Sequence, residues 1–217
     1  MEIELCPNLQ HPFTCLVSGM TQSGKSEWVH RLLHSDRIEP KPDRIIYCYS
    51  EPPKFNRYDR EKITFHRGLP SQELVDSFQS NINNLLVFDD LMQEIDGKEG
   101  GKMISSLFTR GSHHKNLSIV LIVQNLFHQN KHFRTISLNS SYLVVFKNPR
   151  DSAQIEHLAR QMFPKRSDVV RDAYIKATNR PHGYLLIDLK QSTPDVARLR
   201  TNIFKGEGDG CEVFVPI

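Results

Sequence analysis

The sequence predicts an α/β domain with a doubly wound, mostly parallel sheet and helices on both faces. Three observations predict it. Strand-sized apolar runs alternate with amphipathic stretches along the chain. The central runs are continuous in Val, Ile, Leu and Phe, as in strands buried on both faces of a parallel sheet. The chain has 217 residues, 38% of them hydrophobic, which suits one domain with a sizeable core.

The elements follow in order. "FTCLVSG" (13–19) reads as a strand and "KSEWVHRLLH" (25–34) as an amphipathic helix. "RIIYCYS" (44–50) is a strand, followed by a polar loop rich in Pro, Lys and Arg. "SQELVDSFQSNI" (71–82) starts with a capping Ser and a Glu in its first turn, and reads as a helix. "NLLVFDDL" (84–91) is a buried strand, and "GKMISSLFTR" (101–110) a helix after a Gly-rich, charged loop. "LSIVLIVQN" (117–125), "SYLVVFKN" (141–148) and "GYLLIDLK" (183–190) are strands. "SAQIEHLARQMF" (152–163) and "SDVVRDAYIKAT" (167–178) are helices. Residues 1–217 read as one domain with its core over about 13–190. The extension 191–217 ends in a Gly-rich tail expected to pack along an edge or stay mobile.

Composition excludes several classes. No apolar run reaches the ~18–20 residues of a membrane span, and the first residues, "MEIELCPNLQHPF", lack the pattern of a secretory signal. A net charge of +3 is too mild to announce nucleic acid by itself. Cys6, Cys15, Cys48 and Cys211 are scattered without a CxxC, so neither a disulfide framework nor a zinc site is expected. An intracellular, reducing compartment is the plain reading, with Cys15 and Cys48 in the core.

Gly19-Met20-Thr21-Gln22-Ser23-Gly24-Lys25-Ser26 matches G-x-x-x-x-G-K-[ST] between a predicted strand and a predicted helix, the setting that gives this pattern its meaning. Its glycines let successive N–H groups curl around phosphate oxygens, and the helix N-terminus adds positive potential. Lys25 is placed for the β- and γ-phosphates of a nucleoside triphosphate, and the Ser26 hydroxyl for Mg2+. The alternative is a chance Gly/Ser loop.

The strand "LLVFDD" ends in Asp89 and Asp90, 64 residues beyond Lys25 at its first acid. Four apolar residues and an acid form a Walker B pattern, whose first acid, Asp89, holds the metal. Asp90 suits a general base that activates water; the plainer reading has it cap a turn. "LSIVLIVQN" ends in Gln124, whose amide can donate to a phosphate oxygen and accept from water. Such a polar strand tip fits a P-loop NTPase of the RecA/ASCE-like type, with an extra strand between the two Walker strands. The alternative is a Gln that merely ends a strand. "TRGSHHKN" (109–116) holds Arg110, His113, His114 and Lys115. Adjacent histidines do not converge on a metal, so a basic loop facing a neighbour or DNA, or a solvated loop, is the better reading.

Together "GMTQSGKS", "LLVFDD" and "TRGSHHKNLSIVLIVQNLF" resemble genome-packaging ATPases of the FtsK–HerA superfamily. They are most like its poxvirus-type branch, found in large DNA viruses, Polinton (Maverick) elements and adintoviruses. "FKNPRDSAQIEHLARQMFP" and "PHGYLLIDLKQSTPDVARLRTNIF" are similar to Polinton and adintovirus members, so the resemblance spans about Pro12 to Phe204. It implies a homo-oligomeric ring that hydrolyses ATP with Mg2+ and drives double-stranded DNA into a preformed capsid. Capsid proteins would be partners, with work in the host nucleus, at a cytoplasmic assembly site or on the virion. It also implies an arginine completing the neighbour's site, with Arg110 the first candidate and Arg150 the second. The chain departs from larger FtsK-type motors in being short and in showing no separate DNA-recognition domain. DNA contacts would then come from "KFNRYDREK" (54–62), "RGSHHK" (110–115) or "HQNKHFR" (128–134), each of which is otherwise a solvated face. The rivals are a small P-loop kinase of nucleosides or nucleotides and a nucleotide-dependent scaffold with negligible turnover.

Overall fold

In the computed structural model, residues 6–52, 62–112, 115–127, 130–150 and 152–215 are described. The main sheet is built from β2 (Thr14–Ser18), β4 (Arg44–Tyr49), β5 (Ile63–Arg67), β6 (Asn84–Asp89), β7 (Leu117–Val123), β8 (Tyr142–Phe146), β9 (Tyr184–Asp188), β10 (Leu199–Thr201) and β11 (Glu212–Val213). Its order is β11-β10-β9-β8-β2-β7-β6-β4-β5. From β8 to β5 the pairings are parallel; β9, β10 and β11 add antiparallel pairings. β1 (Leu9–Gln10) and β3 (Ile38–Glu39) form a separate parallel pair. The loop-leading ends of β2, β4, β6, β7 and β8 therefore share one edge, where ligands bind in open α/β sheets.

The two faces are covered unequally. On one, α1 (Lys25–His34) lays Trp28, Val29 and Leu32 over Cys15, Val17, Val87, Val120 and Val144. The Trp28 ring lies edge-on to Tyr184 at 5.8 Å and tilted to Phe204 at 5.5 Å. The other face carries α2 (Gln72–Asp76), α3 (Met92–Asp96), α4 (Lys98–Ser106), a π-turn (Leu107–Gly111), α5 (Lys131–Leu138), α6 (Ala153–Met162) and α7 (Ser167–Ala177). Each fully buried aliphatic or aromatic side chain contributes about 1.5–3 kcal/mol by leaving water. Among the described residues no helix is long and apolar enough to cross a membrane.

Several elements depart from expectation. The helix expected over 71–82 stops at Asp76, where the Ser77 hydroxyl turns back to the Leu74 carbonyl. The helix expected over 101–110 begins at Lys98, after α3, and widens into the π-turn. Gly100 lets the two helices close: a Cβ there would lie 2.1 Å from the Glu94 carbonyl oxygen. Residues 131–134 of the basic stretch 128–134 belong to α5, capped by the Asn130 side chain accepting from His132 N. β5 was hidden in the segment read as a polar loop. Of the two expectations for the tail, the structure takes the packed one: β10 and β11 extend the sheet at its edge, and Ile203 and Phe204 are buried.

The expectation of no disulfide is corrected. Cys6 and Cys211 are joined, 205 residues apart in sequence. Spacing could not show this, because only the folded sheet brings the two terminal segments together. Cys15 and Cys48 are buried free thiols, and burial pushes Cys48 up to about 12.

Candidate active site

The phosphate loop joins β2 to α1 and turns on two positive-φ residues, Gln22 (φ 64°) and Gly24 (φ 104°). Gly19 sits where the loop leaves the sheet, and its N–H donates to the Val123 carbonyl of β7 at 3.3 Å. A Cβ on Gly19 would lie 2.7 Å from both Phe146 Cβ and Ser23 Oγ, so the curl requires glycine. Ser23 Oγ is buried without a hydrogen-bond partner inside the same loop. Lys25 Nζ donates to the carbonyls of Gly19 and Met20, each at 2.7 Å, which leaves a third N–H for an anion. Burial lowers the Lys25 pKa, opposed by the charges of Asp89 and Asp90.

The acids approach from β6. Asp89 Oδ1 accepts from Ser26 Oγ at 3.3 Å, and its Oδ2 accepts from the Tyr47 phenol at 2.6 Å. Burial raises the Asp89 pKa, and the hydrogen bonds from Tyr47 and Ser26 oppose the rise. Asp90 is exposed and lies in the left-handed region at φ 55°, so the chain turns sharply between the two acids. Its Oδ2 accepts from Ser50 Oγ at 3.4 Å. Because β7 lies between β2 and β6, Gln124 at its tip stands between the phosphate loop and the acid pair.

These pieces line one cleft of about 320 Å³: Thr21, Gln22, Lys25, Ser26, Asp89, Asp90 and Gln124, with Glu51, Met92, Ile122 and Val123. The phosphate loop and the acid pair, more than 60 residues apart in sequence, are thus gathered at one sheet edge. A hydroxyl and a carboxylate side by side are hard oxygen donors of the kind Mg2+ takes, and the curled loop with its spare ammonium donor suits a phosphate. Ser26 and Asp89 would hold the cation, which would screen phosphate charge.

At this geometry the chain meets known structures, though no protein-family model and no curated protein sequence matches it. It is similar to the genome packaging NTPase B204 from Sulfolobus turreted icosahedral virus 2 in complex with ATP-gammaS (TM-score 0.53, 9% identity), over 94% of this chain and 98% of that one. The same protein in complex with AMPPCP gives a TM-score of 0.53 at 11% identity, with the same coverage. B204, the DNA-packaging ATPase from Sulfolobus turreted icosahedral virus, gives 0.52 at 9%, again over 94% and 98%. This chain has the P-loop NTPase fold.

Not every expected residue joins the cleft. Arg110 is exposed on the π-turn ahead of β7, at the sheet edge opposite the phosphate loop. Arg150 is exposed just beyond β8, on the phosphate-loop edge, with its N–H donating to Asn148 Oδ1 at 3.2 Å. Neither lines the cleft. His113 and His114 lie outside the described residues, as do 54–61 of the first basic stretch and 128–129 of the third. Lys115 pairs with Asp76 at 3.1 Å.

Tyr47, Ser50, Glu51 and His182 were missed. Tyr47 is hidden in the apolar run "RIIYCYS", which reads as core. Glu51 follows a parallel strand's carboxyl end, a place that the rule for open sheets would have flagged. His182 precedes β9 in sequence yet touches the loop, its Nδ1 3.1 Å from the Ser23 carbonyl oxygen.

Proposed function

We propose that this chain is a Mg2+-dependent ATPase that translocates double-stranded DNA as a ring, in the manner of a viral genome-packaging motor. The observation that carries the reading is the convergence of phosphate loop, acid pair and Gln124 in one cleft. The likeness to B204, described as a DNA-packaging ATPase, supports the packaging step. The motif resemblance points to the poxvirus-type branch of the FtsK–HerA superfamily, with capsid proteins as further partners.

The chemistry is in-line displacement at the γ-phosphate. Lys25 and the loop N–H groups bind the β- and γ-phosphates and take up charge as the bond to the leaving oxygen lengthens. Asp90, exposed on the cleft wall, accepts the proton of the attacking water. Gln124 bridges the water and a γ-oxygen and reports their state to the sheet. An acid beside the metal acid separates this from a kinase, which must keep water from the transferred group.

The test is ATP turnover by purified protein with and without double-stranded DNA. Turnover stimulated by DNA and falling with salt is the expected result. Phosphate transfer to a nucleoside without DNA stimulation would establish the kinase instead, and tight ATP binding without turnover the scaffold.

A further inference from the structure

Tyr47 is fully buried in the middle of β4. The register pairs Tyr47 with Val87 and Tyr49 with Asp89, so residues 47 and 89 share a face and are diagonal neighbours. The ring packs against Phe65, centroids 5.8 Å apart. A phenylalanine would fill that place as well. The hydroxyl instead carries a desolvation cost that only a hydrogen bond offsets, and it makes one with the cleft acid, donating to Asp89 Oδ2 at 2.6 Å. The other oxygen, Oδ1, faces Ser26 Oγ at 3.3 Å. Two residues along β4, Tyr49 ends the strand, and Ser50 beyond it reaches Asp90 at 3.4 Å. The end of β4 thus holds both acids, one from below and one from the side.

We propose that Tyr47 is a positioning residue of the site: its phenol ties down one oxygen of Asp89 so that the other stands beside Ser26 as a preformed pair for a divalent cation. This rests on the nucleotide-site reading above. Tyr47 itself touches neither cation nor phosphate in this role. Without the phenol, Asp89 is free to turn about its side-chain torsions, and the paired oxygens must be assembled on each binding event. Outer partners of metal-holding groups are typically worth about 10–100-fold in metal affinity.

The test compares wild type with Tyr47→Phe, reading free Mn2+ by electron paramagnetic resonance in the presence of AMPPCP. Mn2+ affinity should fall about 10–100-fold, while AMPPCP binding in EDTA and the folded far-ultraviolet spectrum stay unchanged. Unaltered Mn2+ affinity in folded Tyr47→Phe overturns the proposal alone. A wild type that binds neither probe overturns the nucleotide-site reading, and this proposal with it. In an Asp89→Asn background Tyr47→Phe should cost nothing further, and an equal second loss would mean that the phenol acts elsewhere. Should Tyr47→Phe not fold, 3-fluorotyrosine placed at position 47 of the otherwise wild-type chain serves. Its 19F signal should move on adding Mg2+ to the AMPPCP complex, and a static signal overturns the proposal.

Discussion

Asp90 and Gly19 show how much of this site is decided by single backbone positions. Asp90 sits at φ 55°, a region that Asp and Asn tolerate better than most residues. Asp90→Asn therefore keeps the turn and removes only the base. ATP binding should persist while turnover falls about 10²-fold or more, measured by analogue titration beside steady-state hydrolysis. Equal loss of binding in Asp89→Asn and Asp90→Asn would make Asp90 a second metal residue. Gly19→Ala acts through packing: its Cβ would press on Phe146 and Ser23. Overpacking of this kind costs about 1–3 kcal/mol, so chemical denaturation should show lower stability together with weaker AMPPCP binding. A variant as stable as wild type would mean that the loop can shift without cost.

Between elements, the antiparallel edge depends on one buried ion pair. Arg200 of β10 is wholly buried, donating to Asp188 Oδ2 of β9 at 2.7 Å and to the Pro7 carbonyl at 2.6 Å. Removing one partner leaves an uncompensated buried charge, worth about 3–5 kcal/mol. Arg200→Met should lose about that much in denaturant unfolding, and Arg200→Met with Asp188→Leu should recover a large part of it. A double variant no better than the single one would place the cost in the lost Pro7 contact. The N-terminal segment has its own acid-sensitive joint. His11 Nδ1 pairs with Ser118 Oγ of β7 at 2.5 Å, and burial holds the His11 pKa below its ordinary value, with Lys190 adding to the depression and Asn116 and Asp43 opposing it. A depressed folded-state pKa means that the unfolded chain takes the proton first. The stabilisation is therefore present above about pH 6.5 and lost as pH falls through the depressed value. Between pH 7 and pH 5 the melting temperature of wild type should fall more steeply than that of His11→Gln; parallel curves would exclude His11 as the cause.

At the scale of the molecule, the segments around Cys6 and Cys211 are drawn onto the α1 face. Cys6 is bonded to Cys211, and Glu207 bonds Arg31 of α1 at 2.6 Å and the Tyr184 hydroxyl at 2.7 Å. A loop of this length corresponds to about 5 kcal/mol in the chain-entropy account. Thiol titration in denaturant should find two free thiols before reduction and four after it, and reduction should lower the melting temperature of wild type but not of Cys6→Ser with Cys211→Ser. Four free thiols without reductant would show that the pair is not joined in solution. The proposed ring raises the question of the arginine. β7 spans seven residues, about 3.3 Å each, so Arg110 lies roughly 20 Å from the level of the cleft. In a flat cyclic ring equivalent residues share one height, which makes Arg150 the better placed of the two. An arginine supplied to a neighbouring site is worth about 10³–10⁵ in rate. Mixing Lys25→Ala subunits with Arg150→Ala subunits should restore part of the activity, because some interfaces then pair an intact loop with an intact arginine. Recovery with Arg110→Ala instead would require subunits staggered along the ring axis.

The phosphate loop, the acid pair and the Gln-ended strand were legible in the sequence because each is a local pattern: a curl, a strand end and a tip are made by neighbouring residues. The parallel sheet was legible for the same reason, since continuous apolar runs report burial on both faces. The strands' lateral order was not a local property, yet that order sets Gln124 between Lys25 and Asp89. Tyr47 reads as core until β4 lies beside β6. For Phe204 and Cys211 the sequence left an edge-packed and a mobile tail open, and only the pairing of β10 and β11 at the sheet edge chose between them. The end of α2 turned on the Ser77 hydroxyl, and the start of α4 on the close approach of Gly100 to α3. Local chemistry therefore determined what this protein's site contains. Only long-range pairing, which no window of sequence records, decided what holds that site in place.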